Sequence, residues 1–161
     1  MEVKSVNHPL PAVGLLIEGI TGPYQSGIWP GMVEFARESG LHLICYCGGS
    51  LDTSPQNPWE YQRNSLFEIA QKDNLDGYII SGSLGGYIQR DKFIEFVRRF
   101  QGRKLVSLSP ILESIPSVYV DNHKGKHELL NHLIVDHHFT SFAFIRGPEG
   151  YFEAEERFML F

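Results

Sequence analysis

The sequence predicts an α/β fold, a doubly wound and mostly parallel sheet with helices on both faces. Short apolar runs rich in Val, Ile and aromatic residues alternate along the chain with amphipathic stretches, and this alternation is typical of βαβ units. Of the 161 residues, 42% are hydrophobic and 20% are charged, which is ordinary for a globular protein. The length suits one domain with a substantial core.

Five strands and one short extended segment are expected. The apolar runs that predict them cover residues 13–17, 41–47, 78–81, 105–108, 118–120 and 142–145, of which 118–120 is the short segment. A helical pattern separates most of these runs. Because parallel neighbours need such a crossover, we expect a parallel sheet with a Rossmann-like arrangement.

Four helices are expected between the strands, over residues 26–39, 59–72, 91–100 and 124–136, and a further helix starts at Tyr151. The third has the clearest apolar stripe, with a spacing of i, i+3, i+4 and i+7. The side chains expected to point inward are Ile28, Met32 and Phe35; Leu66, Ile69 and Ala70; Phe93, Phe96, Val97 and Phe100; and Leu129, Leu130, Leu133 and Ile134.

Composition excludes several function classes. The net charge is −5 without a cluster of Lys or Arg, so this segment is not expected to contact nucleic acid directly. No apolar run approaches the roughly 20 residues of a membrane helix. Residues 1–11 do not resemble a secretory signal, and Cys45 and Cys47 are interpreted as buried free thiols, so a cytoplasmic location is expected.

Candidate binding residues follow the strands, because ligands of open parallel sheets bind at the carboxyl ends of the strands. They are hydroxyl, amide, carboxylate and aromatic side chains, which suit a polyol ligand. Each of them could instead be an ordinary turn or cap residue. The candidates are Glu18, Thr21, Tyr24 and Gln25 after the first strand, Ser81 and Ser83 after the third, Ser109 after the fourth, and Asp121 and Asn122 after the short segment.

Catalytic and metal chemistry find little support. The stretch Gly82-Ser-Leu-Gly85-Gly86 could cradle a phosphate, which keeps a small α/β enzyme with a loop at residues 81–86 as an alternative, although it matches neither the dinucleotide nor the P-loop pattern. Ser81 stands where a phosphoryl receiver domain needs Asp. His123 and His127 have the spacing of a helical zinc pair but no third ligand, so no metal and no cofactor are expected.

Several stretches, in their order and spacing, resemble the effector-binding core of the lactose/galactose repressor family, which shares its fold with periplasmic sugar-binding proteins. The resemblance runs nearly end to end. The stretches are Val13-Gly-Leu-Leu-Ile17, Gly27-Ile-Trp-Pro-Gly31, Ala36-Arg-Glu-Ser-Gly40, Asp76-Gly-Tyr-Ile-Ile80, Ile115-Pro116, Val118-Tyr-Val-Asp121-Asn122 with Gly125, Leu133-Ile134, His138, Phe142-Ala-Phe-Ile145 and Arg157.

The resemblance implies two lobes that close on a small effector, and dimerisation through lobe surfaces. Residues 1–11 would be an N-terminal extension, 12–147 the N-terminal lobe, and 148–161 the truncated start of the second lobe. The implied function is non-catalytic sensing of a sugar-like molecule in a cytoplasmic transcription or signalling regulator. The cleft would be lined, by motif position, by Glu18, Tyr24, Ser81, Ser83 and Asp121.

Three departures from the family qualify this implication. Residues 1–11 are too few to hold a helix-turn-helix head, so the expected alternatives are a regulator with another output module and a DNA-binding repressor core whose head has been removed. His137 replaces the family's usual Gly, which predicts a left-handed residue at 137 or a different turn. Only the start of the expected second lobe lies within the 161 residues, and the apolar residues 158–161 predict self-association into a homodimer.

Overall fold

A computed structural model describes residues 10–52 and 57–161. It confirms the predicted α/β class: five parallel strands form one sheet in the order β2-β1-β3-β4-β5. The strands are β1 (Ala12–Ile17), β2 (His42–Cys47), β3 (Gly77–Ser81), β4 (Leu105–Leu108) and β5 (Ser117–Val118). The N-terminal extension predicted for residues 1–11 lies outside the described residues, apart from residues 10 and 11.

The helices follow the expected alternation. They are α1 (Gln25–Glu38), α2 (Ser65–Lys72), α3 (Arg90–Arg98), α4 (Asn122–Asn131) and α5 (Phe152–Met159). A 3₁₀ turn (Glu60–Asn64) precedes α2, a second (Gly82–Gly85) follows β3, and a π-helical turn (His132–Asp136) extends α4. Within the two described ranges, no helix has both the length and the apolar character that a membrane crossing needs.

The main core lies between the sheet and the helices α2 and α3. The apolar stripe predicted for α3 is confirmed, because all four of its side chains are buried. The stripe predicted for α2 is wrong in part: Phe67 and Ala70 are buried, whereas Leu66 and Ile69 are exposed. An eight-residue helix offers too few turns to fix its inner face from periodicity, and here the Phe67 ring packs edge-on against Phe96 at 5.4 Å.

On the other face of the sheet, α1 leaves an apolar groove open. Ile28, Met32 and Phe35 share this groove, which encloses about 610 Å³ between α1 and the strands. The prediction that they occupy one face is therefore confirmed, but Phe35 is 63% exposed. The groove lies beside the amino-terminal ends of β3 and β4, where Gly77 and Leu105 contribute to its wall.

The chain after β5 departs most from expectation. Residues 142–145 were predicted as a strand, and they form none: the sheet ends at β5, and Ile145 is 96% exposed. The inward stripe predicted for α4 is also wrong, because α4 contains no buried residue. Helix α4 packs against α5 rather than against the sheet. Because no sheet covers it, the apolar stripe of α4 stays exposed.

Two local expectations are corrected. The left-handed residue at the end of the α4 extension is His138, with φ 54°, and not His137, with φ −101°. Cys45 and Cys47 are free, with 3.5 Å between the two Sγ atoms, but they are half-buried rather than buried. Burial and the neighbouring thiol together raise the pKa of Cys45 to about 12.

Candidate ligand-binding site

The candidate site lies where the strand order reverses. Strand β1 is flanked by β2 on one side and β3 on the other, so the loops after β1 and β3 diverge and leave a crevice at the carboxyl edge of the sheet. Glu18 directly follows β1, and Ser81 ends β3. The two predicted groups of residues therefore meet at the switch point.

Glu18 is the central side chain of this crevice. Its carboxylate accepts hydrogen bonds from the Gln25 side-chain amide and from the Ser83 hydroxyl. Burial raises the pKa of Glu18, and the nearby carboxylate of Glu60 adds to the rise, while the Ser83 hydrogen bond opposes it. The Gln25 amide and the Ser83 hydroxyl thus hold the partly desolvated Glu18 carboxylate in place.

Ser81 acts behind Ser83. Its side chain is fully buried and lies 2.7 Å, Oγ to Oγ, from Ser83, whose backbone N–H also points at the Ser81 hydroxyl from 3.4 Å. The intervening Gly82 permits the close approach of the loop after β4, because a Cβ there would lie 1.8 Å from the carbonyl oxygen of Ser109. Ser81 therefore positions the Ser83 side chain and does not itself line either pocket.

The segment that begins α5 forms the opposite wall. Tyr151, Glu153 and Arg157 face Glu18 and Tyr24 across a pocket of about 320 Å³. The Arg157 guanidinium lies 3.7 Å from the Glu153 carboxylate. Burial, followed by the charge of Glu153, raises the pKa of both tyrosines, so their hydroxyls stay protonated.

A second pocket of about 280 Å³ adjoins the first and shares Glu18, Gln25 and Tyr87 with it. Thr21 and Arg63 both line this second pocket. Together the two pockets offer carboxylate acceptors, guanidinium and amide donors, hydroxyls and aromatic rings. These are the groups that recognise a desolvated polyol.

Three predicted residues lie elsewhere. Ser109 donates a 2.5 Å hydrogen bond to Glu153 from a neighbouring pocket that Asn122 also lines. Asn122 bonds the Glu156 carboxylate at 3.0 Å. Asp121 caps α4 by accepting from the backbone N–H groups of His123 and Lys124, an ordinary cap role.

Sequence reasoning missed most of the α5 wall. The sequence points only to Arg157, through the family resemblance. The i, i+4 spacing of Glu153 and Arg157 was the available signal, since it places both on one helix face. Tyr151 carries no comparable signal, because nothing in the sequence brings the start of α5 to β1. Tyr87 follows β3 and could have been included with Ser81 and Ser83 by the strand-end rule. The further lining side chains are Ser50, Glu60, Arg63 and Tyr87.

The alternative chemistries gain no support from this geometry. In the loop at residues 81–86, the amides of Ser83 and Gly86 already point at acceptors within the turn. Among the residues that the structure describes, no histidine lines either pocket. Within the described parts of the chain, no group of three or more His, Cys, Asp or Glu side chains is placed to hold a metal ion.

No protein-family model and no curated protein matches the chain. Solved structures do. A periplasmic binding protein/LacI transcriptional regulator from Alkaliphilus metalliredigens, complexed with D-xylulofuranose, is 20% identical with a TM-score of 0.62. The 5-methylthioribose transporter solute binding protein from Thermotoga lettingae, in complex with 5-methylthioribose, is 16% identical with a TM-score of 0.60.

A third similar structure, an uncharacterised protein from Actinobacillus succinogenes, is 16% identical with a TM-score of 0.66. Each alignment covers 92% of this chain and 50%, 45% and 51% of the respective neighbour. The chain thus spans about half the length of these structures. At these identities the likeness establishes the periplasmic-binding-protein-like fold.

Proposed function

We propose that this chain is a non-catalytic ligand-binding lobe that takes a small sugar-like molecule in the crevice between Glu18 and the α5 wall. The observation that carries the proposal is the partly buried Glu18 carboxylate at the switch point, held by Gln25 and Ser83. Such a carboxylate can accept two ligand hydroxyls. Tyr24 and Tyr151 offer rings that can cover a sugar face.

The neighbours suggest the size of the ligand. D-xylulofuranose and 5-methylthioribose, bound by two of them, are both built on five-carbon sugars. Pockets of about 280 and 320 Å³ fit a molecule of that size. We therefore propose a pentose or pentose derivative, with a second lobe supplying the rest of the site.

Titration calorimetry with a panel of pentoses, pentose derivatives and hexoses tests this proposal. Replacing Glu18→Gln removes a charged acceptor, and because hydrogen bonds to charged groups contribute about 1.5–3 kcal/mol, affinity should fall by about tenfold or more. Glu34→Gln makes the same charge change on the exposed side of α1 and should leave affinity unaltered. Equal affinities for all three proteins would refute the site.

The wider role is also a proposal. We place the lobe in a cytoplasmic regulator that forms a homodimer and does not itself contact nucleic acid, in keeping with its net charge of −5. The division at residue 147 and the alternative of a DNA-binding repressor core remain predictions. Sedimentation velocity tests self-association, and a monomer at high concentration would count against the homodimer.

A further inference from the structure

The π-helical turn after α4 brings two histidines together. In a π-helix the backbone bonds join i and i+5, and the N–H of His137 donates to the carbonyl of His132 at 3.3 Å. Residues five apart therefore share a face there, unlike in an α-helix. The Nε2 atoms of His132 and His137 lie 3.0 Å apart.

Each of the two rings is held in place by its own neighbour. The Nδ1 of His132 lies 2.7 Å from the Asp136 carboxylate, which leaves its Nε2 with a free lone pair when the ring is neutral. The His137 ring stacks on Phe139, with 5.6 Å between centroids and an interplanar angle of 13°. The N–H of Phe139 in turn bonds the carbonyl of Leu133 at 3.1 Å, which closes the turn.

We propose that His132 and His137 form a binding site for one divalent transition-metal ion of the zinc class. Two imidazole nitrogens at 2.0–2.1 Å from a tetrahedral ion lie about 3.3 Å apart, close to the separation already present. The two ring planes are perpendicular, with 4.6 Å between centroids, which is shorter than a collinear arrangement of the two Nε2 atoms would give. Both Nε2 atoms can therefore turn toward one ion. Asp136 supplies the carboxylate–histidine contact that orients metal-bound imidazoles.

The chemistry of binding is simple. Without metal, His137 carries its proton on Nε2 and donates it to the Nε2 atom of His132. When the ion binds, that proton moves to Nδ1 of the same exposed His137 ring. Both Nε2 lone pairs then face the ion. Because the described residues offer no third side chain, water or an external ligand completes the coordination. This site is separate from the proposed sugar crevice.

The contrast with α4 shows why the spacing matters. His123 and His127 have the i, i+4 spacing of helical zinc pairs, but His123 faces Glu156, with 3.8 Å between Nε2 and Oε1. The structure instead selects the i, i+5 pair through the π turn. A zinc titration can distinguish the two pairs.

The experiment is calorimetric titration of zinc chloride into the full 161-residue chain, with ring ¹H–¹⁵N spectra to identify the binding nitrogens. We expect one ion per chain, with spectral changes at His132 and His137. His132→Ala and His137→Ala should each weaken binding at least tenfold, and Asp136→Asn by about tenfold, as for other outer-shell partners. All three side chains are exposed, so these variants keep the fold.

Two controls decide between this site and others. His127→Ala removes an exposed histidine from the same helix, and a Cys45→Ser/Cys47→Ser double variant removes the thiol pair; both should bind zinc as the parent does. The proposal is overturned if either control abolishes binding, if the His132 and His137 variants retain it, or if Asp136→Asn has no effect.

Discussion

The sheet layer, residues 12–118, and the terminal segment, residues 122–161, use similar amphipathic patterns with opposite results. Every member of the main hydrophobic cluster belongs to the sheet layer, whereas Ala154 is the one buried hydrophobic side chain found in the terminal segment as described. In the sheet layer, α2 and α3 cover a face of the sheet. In the terminal segment, the start of α5 contacts the sheet layer, with the Phe152 ring 6.1 Å from that of Phe93, and beyond it α4 packs only against α5. Most apolar side chains of this segment therefore stay exposed.

This difference shows what helical periodicity measures. A stripe of apolar residues indicates which side of a helix would face a core, and it contains no information on whether a core is present. The stripe of α3 meets the sheet and is buried; that of α4 meets no sheet and is not. Three cation–π contacts partly cover the terminal aromatic rings instead.

The strongest test of this contrast compares one phenylalanine from each region. Phe67→Ala, in the buried cluster, should lower the free energy of unfolding by about 3–5 kcal/mol, because it removes a fully buried ring and leaves a cavity. Phe139→Ala, at a side chain 53% exposed, should cost less than about 1 kcal/mol. Urea denaturation measures both, and equal losses would mean that the terminal segment is covered in solution.

Alanine substitutions at two glycines should change the free energy of unfolding in opposite directions. Gly82→Ala would force a Cβ to within 1.8 Å of the Ser109 carbonyl oxygen, so it should destabilise the sheet layer by about 1–3 kcal/mol. Gly125→Ala in α4 meets nothing within 4 Å and should stabilise by about 0.5–1 kcal/mol through helix propensity. Thermal unfolding followed by circular dichroism checks the signs, and a stable Gly82→Ala protein would contradict the close approach.

At the crevice, burial of a charge opposes stability. The pKa of Glu18 is raised above its ordinary value of 4.5, so its contribution to stability is fully present below that value and is lost as the pH rises through the folded-state pKa. Glu18→Gln should therefore raise the melting temperature at pH 7 and not at pH 4. Melting curves across that range provide the measurement, and an unchanged difference at the two pH values would argue against a buried carboxylate.

The smallest expected effect concerns the cation–π contacts of Lys126 with the Phe144 and Phe161 rings. The Nζ atom of Lys126 lies 4.1 Å from the centroid of the Phe144 ring and 5.3 Å from that of Phe161. Lys126→Met should cost about 0.5–1 kcal/mol, the range of an exposed cation–π contact, whereas Lys124→Met should be neutral. Chemical denaturation of both variants gives the comparison, and identical stabilities would show that the cations do not hold these rings.

The fold was largely predictable because its signals are local. Strands β1 to β4 appear within one residue of the predicted bounds at every end, and the predicted apolar stripe of α3 is the buried one. Glu18 and Ser83 could also be placed at the crevice, because strand ends in a parallel sheet are a topological rule. The strand predicted for residues 142–145 is absent, because an apolar run indicates β propensity and not the presence of a neighbouring strand to pair with.

Composition and periodicity by themselves determined the α/β class, the parallel sheet and the polar residues that follow its strands. These depend on interactions between residues close in sequence and on the handedness of short crossovers. Only the tertiary structure decided that Tyr151 and Arg157 face Glu18, that Ser81 supports Ser83 from behind, and that α4 lies uncovered. Those outcomes depend on contacts between distant segments, whose relative placement is set by packing and not by any local pattern.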